Sequence, residues 1–178
     1  CFVALDLPTP VCNHLIKVST PLRERYDIRW VPREQMHLTL LFGGEMQPDN
    51  VDALMDIVDG LELPPLSLSL SAFGSFPPKG LPHVVWAGLE GDIEVIRDLQ
   101  QTLTEQSEPL GVVPEKRKFT PHVTLGRDLV GAPQDPYRTV VGAQSVAQPF
   151  SSSRTRVRAG TAPNTLELRR RPRDKRRR

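Results

Sequence analysis

Cysteines and aromatic residues are scarce in this sequence, and long apolar runs are missing. Its 178 residues include two cysteines, Cys1 and Cys12, which form neither a disulfide framework nor a CxxC or zinc-type spacing. We therefore expect a reduced, cytoplasmic protein. The apolar runs fall short of the roughly 20 residues that span a bilayer, which predicts no association with membranes. Phe, Trp and Tyr make up 6% of the chain, too few for an extended platform that stacks bases.

The chain does contain enough apolar material for a core. Hydrophobic residues make up 38% of it, so the folded part needs no metal or disulfide to hold it together. A chain of this length forms one domain or two closely packed halves. We predict one bilobal domain over residues 1–168, followed by a tail, and we expect the protein to be a monomer.

Charge is concentrated at the end of the sequence. Residues 169–178 (RRRPRDKRRR) hold eight basic residues and one acidic residue. Removing them from the totals of 23 and 21 leaves 15 basic and 20 acidic residues, a net of −5 for the body. The body is therefore not a basic nucleic-acid-binding surface in its own right. The tail is typical of a disordered block of like charge, either simply solvated or able to bind RNA phosphates.

The hydrophobic pattern predicts a mixture of strands and helices without a regular βαβ alternation. This order favours the α+β class with antiparallel pairing. Alternating or β-rich runs predict strands at residues 2–7, 28–31, 36–42, 66–71, 83–89 and 119–125, and weaker ones at 140–146 and 165–168, with 151–158 irregular or extended. Helical spacing and capping signals predict helices from Thr9 to about Tyr26, from Asp49 or Asn50 to Gly60, and from Ile93 to Ser107, with loops at 74–82 and 108–118.

A His-x-Thr-Leu pattern occurs twice, each time within a predicted strand. The copies are His37-Leu38-Thr39-Leu40 and His122-Val123-Thr124-Leu125, and 122 − 37 gives a separation of 85 residues, about half the chain. This repeat predicts two related βα lobes with antiparallel sheets that face a central cleft. Because residues i and i+2 of a strand share a face, each motif presents one imidazole beside one hydroxyl.

Two such pairs suit the cleavage of a phosphodiester without a metal. One neutral imidazole takes a proton from water, and the other, protonated, gives a proton to the departing sugar oxygen. The hydroxyls of Thr39 and Thr124 can donate hydrogen bonds to the nonbridging phosphate oxygens. A single HxT would carry little information, but two copies half a chain apart are unusual.

The sequence also resembles the two-histidine (2H) phosphoesterases, in particular the bacterial and archaeal RNA 2′,3′-cyclic phosphodiesterases, formerly called 2′-5′ RNA ligases. The resemblance covers residues 1–127 and fades after Arg127. It rests on FVALDLP, WVPREQMHLTLLFGGE, FGSFPPKGLPHVVWAGL and KFTPHVTLGR. It implies a cleft between two βα lobes, with no cofactor.

The resemblance also implies roles for the motif residues. His37 and His122 become the catalytic acid and base, and Thr39 and Thr124 bind the phosphate of an RNA or oligonucleotide. The sequence leaves open which histidine plays which part. Our working assignment has His37 protonate the 3′ oxygen and His122 activate water, which leaves a 2′-phosphate.

Several flanking residues are candidates for contact with substrate. Arg127 stands where the family has an arginine, but its odd offset of five from His122 turns it off the catalytic face unless the strand ends at Gly126. Phe42 or Phe119 could stack on a base, although core packing is the more common use of such residues. Arg33 precedes the first motif and is a candidate phosphate contact. The remaining ring-bearing candidates are assigned to packing or left out of the site: Trp30, Trp86, His14 and His83.

Other chemistries lack their motifs. The sequence has no HExxH, no zinc-type Cys/His spacing and no carboxylate cluster suited to magnesium. It has no phosphate-binding loop of the Gly-x4-Gly-Lys-Ser/Thr type and no G-x-S-x-G elbow. Three alternatives to hydrolysis of RNA ends stay open: 2′-5′ ligation by the same histidines, hydrolysis of small cyclic nucleotides, and a non-catalytic RNA-binding module.

Overall fold

The computed structural model describes residues 1–25, 27–79, 83–129, 149–152 and 157–160. Its helices are α1 (Thr9–Arg25), α2 (Pro48–Gly60) and α3 (Ile93–Ser107). Its strands are β1 (Phe2–Asp6), β2 (Ile28–Trp30), β3 (His37–Phe42), β4 (Leu66–Phe76), β5 (Val84–Gly91), β6 (His122–Leu129), β7 (Pro149–Ser152) and β8 (Val157–Gly160). None of these helices has the length and apolar character needed to cross a membrane.

All eight strands join one sheet in which the pairs are antiparallel. The order is β7-β4-β5-β6-β3-β1-β8, and β2 pairs with β6. The predicted α+β class with antiparallel pairing is confirmed. The two halves of the sheet meet at β3 and β6, where Leu38 pairs with Val123. Each half therefore contributes one of the two motif strands to the junction.

The core lies on the face of the motif strands that points away from the histidines. Leu38, Leu40, Val123 and Leu125 are at most 2% exposed. They belong to one apolar cluster that also contains the buried residues of all three helices: Val11, Leu15 and Leu22 of α1, Leu54 of α2, and Ile96, Leu99 and Leu103 of α3. Burial of this alternating set leaves His37, Thr39, His122 and Thr124 on the opposite face, where each remains partly accessible.

Three element boundaries differ from the predictions. The helix α2 begins at Pro48 with Gln47 as its N-cap, so Asp49 and Asn50 are not caps. Proline is favoured at the first helical position because its fixed φ suits the helix and it has no N–H to satisfy. Thr9 likewise lies inside α1 rather than capping it. Strand β4 continues to Phe76, through the start of the predicted 74–82 loop.

Some predictions fall on other parts of the chain. The expected strands at 140–146 and 165–168, and the basic tail at 169–178, lie outside the described residues. The stretch predicted to be irregular or extended, 151–158, includes the end of β7 and the start of β8.

Candidate functional site

The two motifs lie side by side on the central antiparallel strands. Because Leu38 is paired with Val123, His37 stands opposite Thr124, and Thr39 stands opposite His122. Directly opposite residues share a face of the sheet. The structure therefore brings together the four residues that the sequence singled out, as two imidazoles and two hydroxyls in a diagonal arrangement.

Both imidazoles are anchored in the same way. Nδ1 of His37 lies 2.7 Å from the carbonyl oxygen of Gln35, and Nδ1 of His122 lies 2.7 Å from the carbonyl oxygen of Thr120. A carbonyl oxygen can only accept, so each Nδ1 carries a hydrogen and donates it. Each ring is thus held in one orientation, and Nε2 is the nitrogen that exchanges a proton with substrate or water.

Each motif also contains a β-bulge at its leucine. Against β1, Thr39 pairs with Ala4 and Leu41 with Val3, so Leu40 is the extra residue. Against β5, Thr124 pairs with Trp86 and Gly126 with Val85, and Leu125 is the extra residue. The bulges stand 85 residues apart, at equivalent positions of the two motifs.

The bulges change which residues share a face with the histidines. A bulge turns two successive side chains inward, as Leu40 and Leu41 show by being 2% and 5% exposed. The residue five positions after each histidine then returns to the catalytic face. These residues are Phe42, which is 60% exposed, and Arg127, which is also exposed. The parity argument that turned Arg127 away is wrong, because β6 continues to Leu129 and is bulged.

Gly126 follows the second bulge and packs closely against Ile28. A Cβ at this position would lie 2.6 Å from Cδ1 of Ile28, which fills the space beneath the bulge. A larger residue at this position, which is Leu41 in the first motif, would require Ile28 to move.

Aromatic rings line the two histidines on their outer sides. Phe2 of β1 stacks on His37 with ring centroids 5.0 Å apart and 17° between planes. His122 contacts the edge of Phe76 at 5.1 Å and the tilted ring of Trp86 at 5.8 Å. Phe2 and Phe76 were not recognised from the sequence. Trp86 was predicted to be a packing residue, yet it lies at the site.

Gly74 creates the space for Trp86. It pairs with Trp86 across β4 and β5, and a Cβ on Gly74 would lie 2.2 Å from Cζ2 of the indole. The indole therefore lies across the strand over the glycine. Residues 74–76, which were predicted as the start of a loop, form a strand whose glycine leaves room for a neighbouring ring.

The electrostatic surroundings of the two histidines differ. Burial lowers the pKa of His122 from its ordinary value; the hydrogen bond to Thr120 acts in the opposite sense, and the charge of Arg127 lowers it further. Gly88 stands opposite His122 on β5, whereas Asp6 stands opposite His37 on β1. His122 is thus favoured in the neutral form at neutral pH.

The remaining candidates lie around this centre. Arg33 is in a single 3₁₀ turn before β3, where Nη2 forms an ion pair with Oε1 of Glu34 at 2.9 Å. Phe119 is partly buried and packs against the core. Trp30 also packs against the core, with the guanidinium of Arg23 4.6 Å from its ring centroid. Within the part of the chain that the structure describes, no three His, Cys, Asp or Glu side chains are grouped to hold a metal ion.

Comparison with known proteins identifies the family. The family model of the 2′-5′ RNA ligase superfamily matches residues 7–174. The chain belongs to this superfamily. The RNA 2′,3′-cyclic phosphodiesterase of Thermus thermophilus is 32% identical over 142 residues, which cover 76% of this chain and 71% of that protein.

Solved structures of the superfamily have the same fold. A crystal structure from Thermus thermophilus superposes with a TM-score of 0.72 at 27% identity and covers 84% of this chain and 82% of its own. The crystal structure of Escherichia coli LigT complexed with 3′-AMP gives a TM-score of 0.65 at 25% identity, with coverage of 88% and 92%.

Proposed function

We propose that the chain hydrolyses the terminal 2′,3′-cyclic phosphate of RNA to a 2′-phosphate, with His122 as general base and His37 as general acid. The observation that carries this proposal is the pairing of two His-x-Thr motifs on adjacent antiparallel strands, each imidazole anchored through Nδ1. The relatives named RNA 2′,3′-cyclic phosphodiesterase support the same activity.

The reaction needs two proton transfers. Nε2 of His122 takes a proton from water, whose oxygen forms a bond to phosphorus. The bond between phosphorus and O3′ breaks, and Nε2 of His37 gives its proton to O3′. The products are a 3′-hydroxyl and a 2′-phosphate. Water supplies both hydrogen and oxygen, so this route uses no cofactor.

The asymmetry of the surroundings supports this direction. His122 must be neutral to accept a proton, and its lowered pKa favours that state at neutral pH. His37 must be protonated to donate, and it is the histidine that has an acidic residue, Asp6, opposite it on the neighbouring strand. The converse assignment would require His122, the ring whose pKa is lowered by partial burial and by Arg127, to start out charged.

The threonines and Arg127 bind the phosphate in this proposal. Thr39 and Thr124 donate hydrogen bonds to the nonbridging oxygens, whose negative charge grows as water attacks. Arg127 adds a fixed positive charge on the same face. Arg33 remains a candidate phosphate contact, but it would have to leave Glu34 to serve as one. Phe42 remains a candidate for stacking on a base.

Turnover of a short RNA ending in a 2′,3′-cyclic phosphate, in the presence of EDTA, tests the proposal. We expect the wild type to yield a 2′-phosphate, and His37→Ala and His122→Ala to lose about 10²–10⁴-fold in kcat, the usual contribution of a positioned acid or base. His83→Ala is the matched control, because His83 is exposed and lies just before β5. Full activity in either motif variant, or a 3′-phosphate product, contradicts the proposed roles.

The domain boundaries, the monomeric state and the cytoplasmic location are also proposals. All four motif residues come from one chain, so a second copy is not needed to complete the site. Both cysteines are buried free thiols, which suits a reducing compartment. We expect residues 1–168 to retain turnover and to elute as a monomer in light scattering. A dimer, or loss of activity on removal of 169–178, contradicts this organisation.

A further inference from the structure

One end of the catalytic face combines exposed apolar and basic side chains. Because β3 and β6 are antiparallel, the end of β3 and the start of β6 lie at the same end of the sheet, and this end therefore holds both Phe42 and the segment that leads into His122. That segment contains three consecutive exposed cations, Lys116, Arg117 and Lys118, and Val113, which is 82% exposed. Phe42, Val113 and these three cations form the approach surface.

A hydrogen bond fixes the segment near β3. Nδ2 of Asn50 donates to the carbonyl oxygen of Leu110 at 3.1 Å, which ties the residues after α3 to the start of α2. The helix α2 follows β3 after a short connection that begins with Gly43 and Gly44. The chain on either side of the approach surface is therefore held at the same end of the sheet.

The cations of this segment differ in their ion pairing from Arg33, the cation at the equivalent position before the first motif. Lys118 precedes His122 by the same four residues by which Arg33 precedes His37. Arg33 is neutralised by Glu34, whereas Lys116, Arg117 and Lys118 form no ion pair with any described residue. Glu45 and Glu115 border the surface and are outnumbered by its cations. This end of the site thus carries positive charge in a body whose net charge is −5.

We propose that the approach surface binds the single-stranded RNA immediately 5′ of the cyclic phosphate. The cations contact its phosphates, and Phe42 stacks on a base. An exposed aromatic ring beside a row of cations is the combination that single-strand-binding proteins use. Four extended residues span at most about 14 Å, so Lys118 lies within about that distance of His122. It can therefore reach phosphates one or two nucleotides 5′ of the cyclic phosphate. The inference rests on the proposed function and makes the preferred substrate an oligonucleotide.

The test compares adenosine 2′,3′-cyclic phosphate with a five-nucleotide RNA that ends in the same group. For the full-length wild type we expect a KM for the RNA on the order of tenfold lower, and a steep dependence on salt. The triple variant Lys116→Gln, Arg117→Gln, Lys118→Gln should remove this preference and leave the KM for the mononucleotide within about twofold. For the RNA, the slope of log(kcat/KM) against log[salt] should be shallower by about 2 in this variant. Each lost contact with a phosphate of a single strand reduces the slope by roughly 0.7, and three cations are removed.

The matched control removes three charges from the tail. Arg176→Gln, Arg177→Gln, Arg178→Gln should keep most of the preference for RNA if the approach surface binds it. If the tail variant loses the preference and the segment variant keeps it, the tail is the RNA contact and the inference is overturned. Equal KM values for both substrates in the wild type also overturn it.

Phe42 is tested separately. Phe42→Ala should raise the KM for the RNA several-fold, and Phe42→Trp should restore it, because any flat aromatic ring can stack on a base. Failure of the tryptophan variant to restore the KM contradicts stacking. A wild type that hydrolyses neither substrate contradicts the proposed function instead, so the two failures are distinguishable.

Discussion

The two histidines share a backbone arrangement but have different neighbours. Each donates Nδ1–H to the carbonyl two residues earlier, and each lies beside an aromatic ring. His122, however, is partly buried against Phe76 and Trp86 and experiences the charge of Arg127, and these surroundings lower its pKa. The two imidazoles of the repeat thus differ in their surroundings, and the proposed roles of one as acid and the other as base depend on this difference.

The pH dependence of turnover should report this difference. If neutral His122 is the base, kcat/KM rises with pH through its pKa, so the acidic limb should lie below the ordinary value of about 6.5. Trp86→Leu exposes the imidazole of His122 to water, which reduces the effect of burial on its pKa. The acidic limb should therefore move to higher pH, and Trp86→Phe should move it less. The measurement is kcat/KM between about pH 4 and pH 9.

Trp30 provides the control for this profile. It packs against the core and pairs with Gly126, four residues beyond His122, and has no ring contact with this histidine, so Trp30→Leu should reduce stability and leave the limb in place. An acidic limb that is the same in Trp86→Leu as in the wild type would show that Trp86 does not influence the base.

The strands position the site through two irregularities. The bulges at Leu40 and Leu125 return Phe42 and Arg127 to the face of the histidines. Gly74 lets the indole of Trp86 lie across β4. Regular strands of the same sequence would point Phe42 and Arg127 into the core. The local deviations from ideal pairing are thus what assembles the outer part of the site.

Gly74→Ala tests the strand packing. The added methyl group would meet the indole at 2.2 Å, so we expect a loss of about 1–3 kcal/mol in the free energy of unfolding, with weaker turnover as Trp86 moves. Gly60→Ala is the matched control, because Gly60 ends α2 with no atom near its Cβ position. It should change stability by less than about 1 kcal/mol. Denaturant unfolding of both variants checks the difference.

Periodicity predicted the elements well but not their irregularities. The alternation in LSLSLS and the spacing of Ile93, Ile96, Leu99 and Leu103 predicted β4 and α3, because one buried face determines each pattern. The bulges break the period at a single residue, and the adjacent pair Leu40-Leu41 was their one visible sign. Gly74 was predicted to lie in a loop because a glycine usually indicates a turn or loop. Its role in the strand depends on the indole of Trp86, whose position the sequence alone does not show. The rings around the histidines come from β1, β4 and β5, and pairing between distant strands is not encoded locally.

At the scale of the whole molecule, one apolar cluster joins both halves. Residues of α1, α2, α3 and the central strands contribute to it, so neither motif strand has a separate core. We therefore expect a single cooperative unfolding transition, with tryptophan fluorescence, far-UV circular dichroism and loss of turnover coinciding in urea. Leu54→Ala, at a fully buried position, should shift all three together by about 2–5 kcal/mol. Separate transitions would indicate that the lobes fold independently.

The anchoring of both rings through Nδ1 has a consequence for successive turnovers. In the proposed mechanism each imidazole exchanges protons through Nε2, so a hydrolysis cycle ends with His122 charged and His37 neutral, the reverse of the starting state. Before the next substrate can react, each ring must return to its initial protonation by exchange with solvent. The intermediate state is the one that microscopic reversibility requires for closing the cyclic phosphate again. Until this proton exchange takes place, the two rings hold the protonation states that the reverse reaction, closure of the cyclic phosphate, requires.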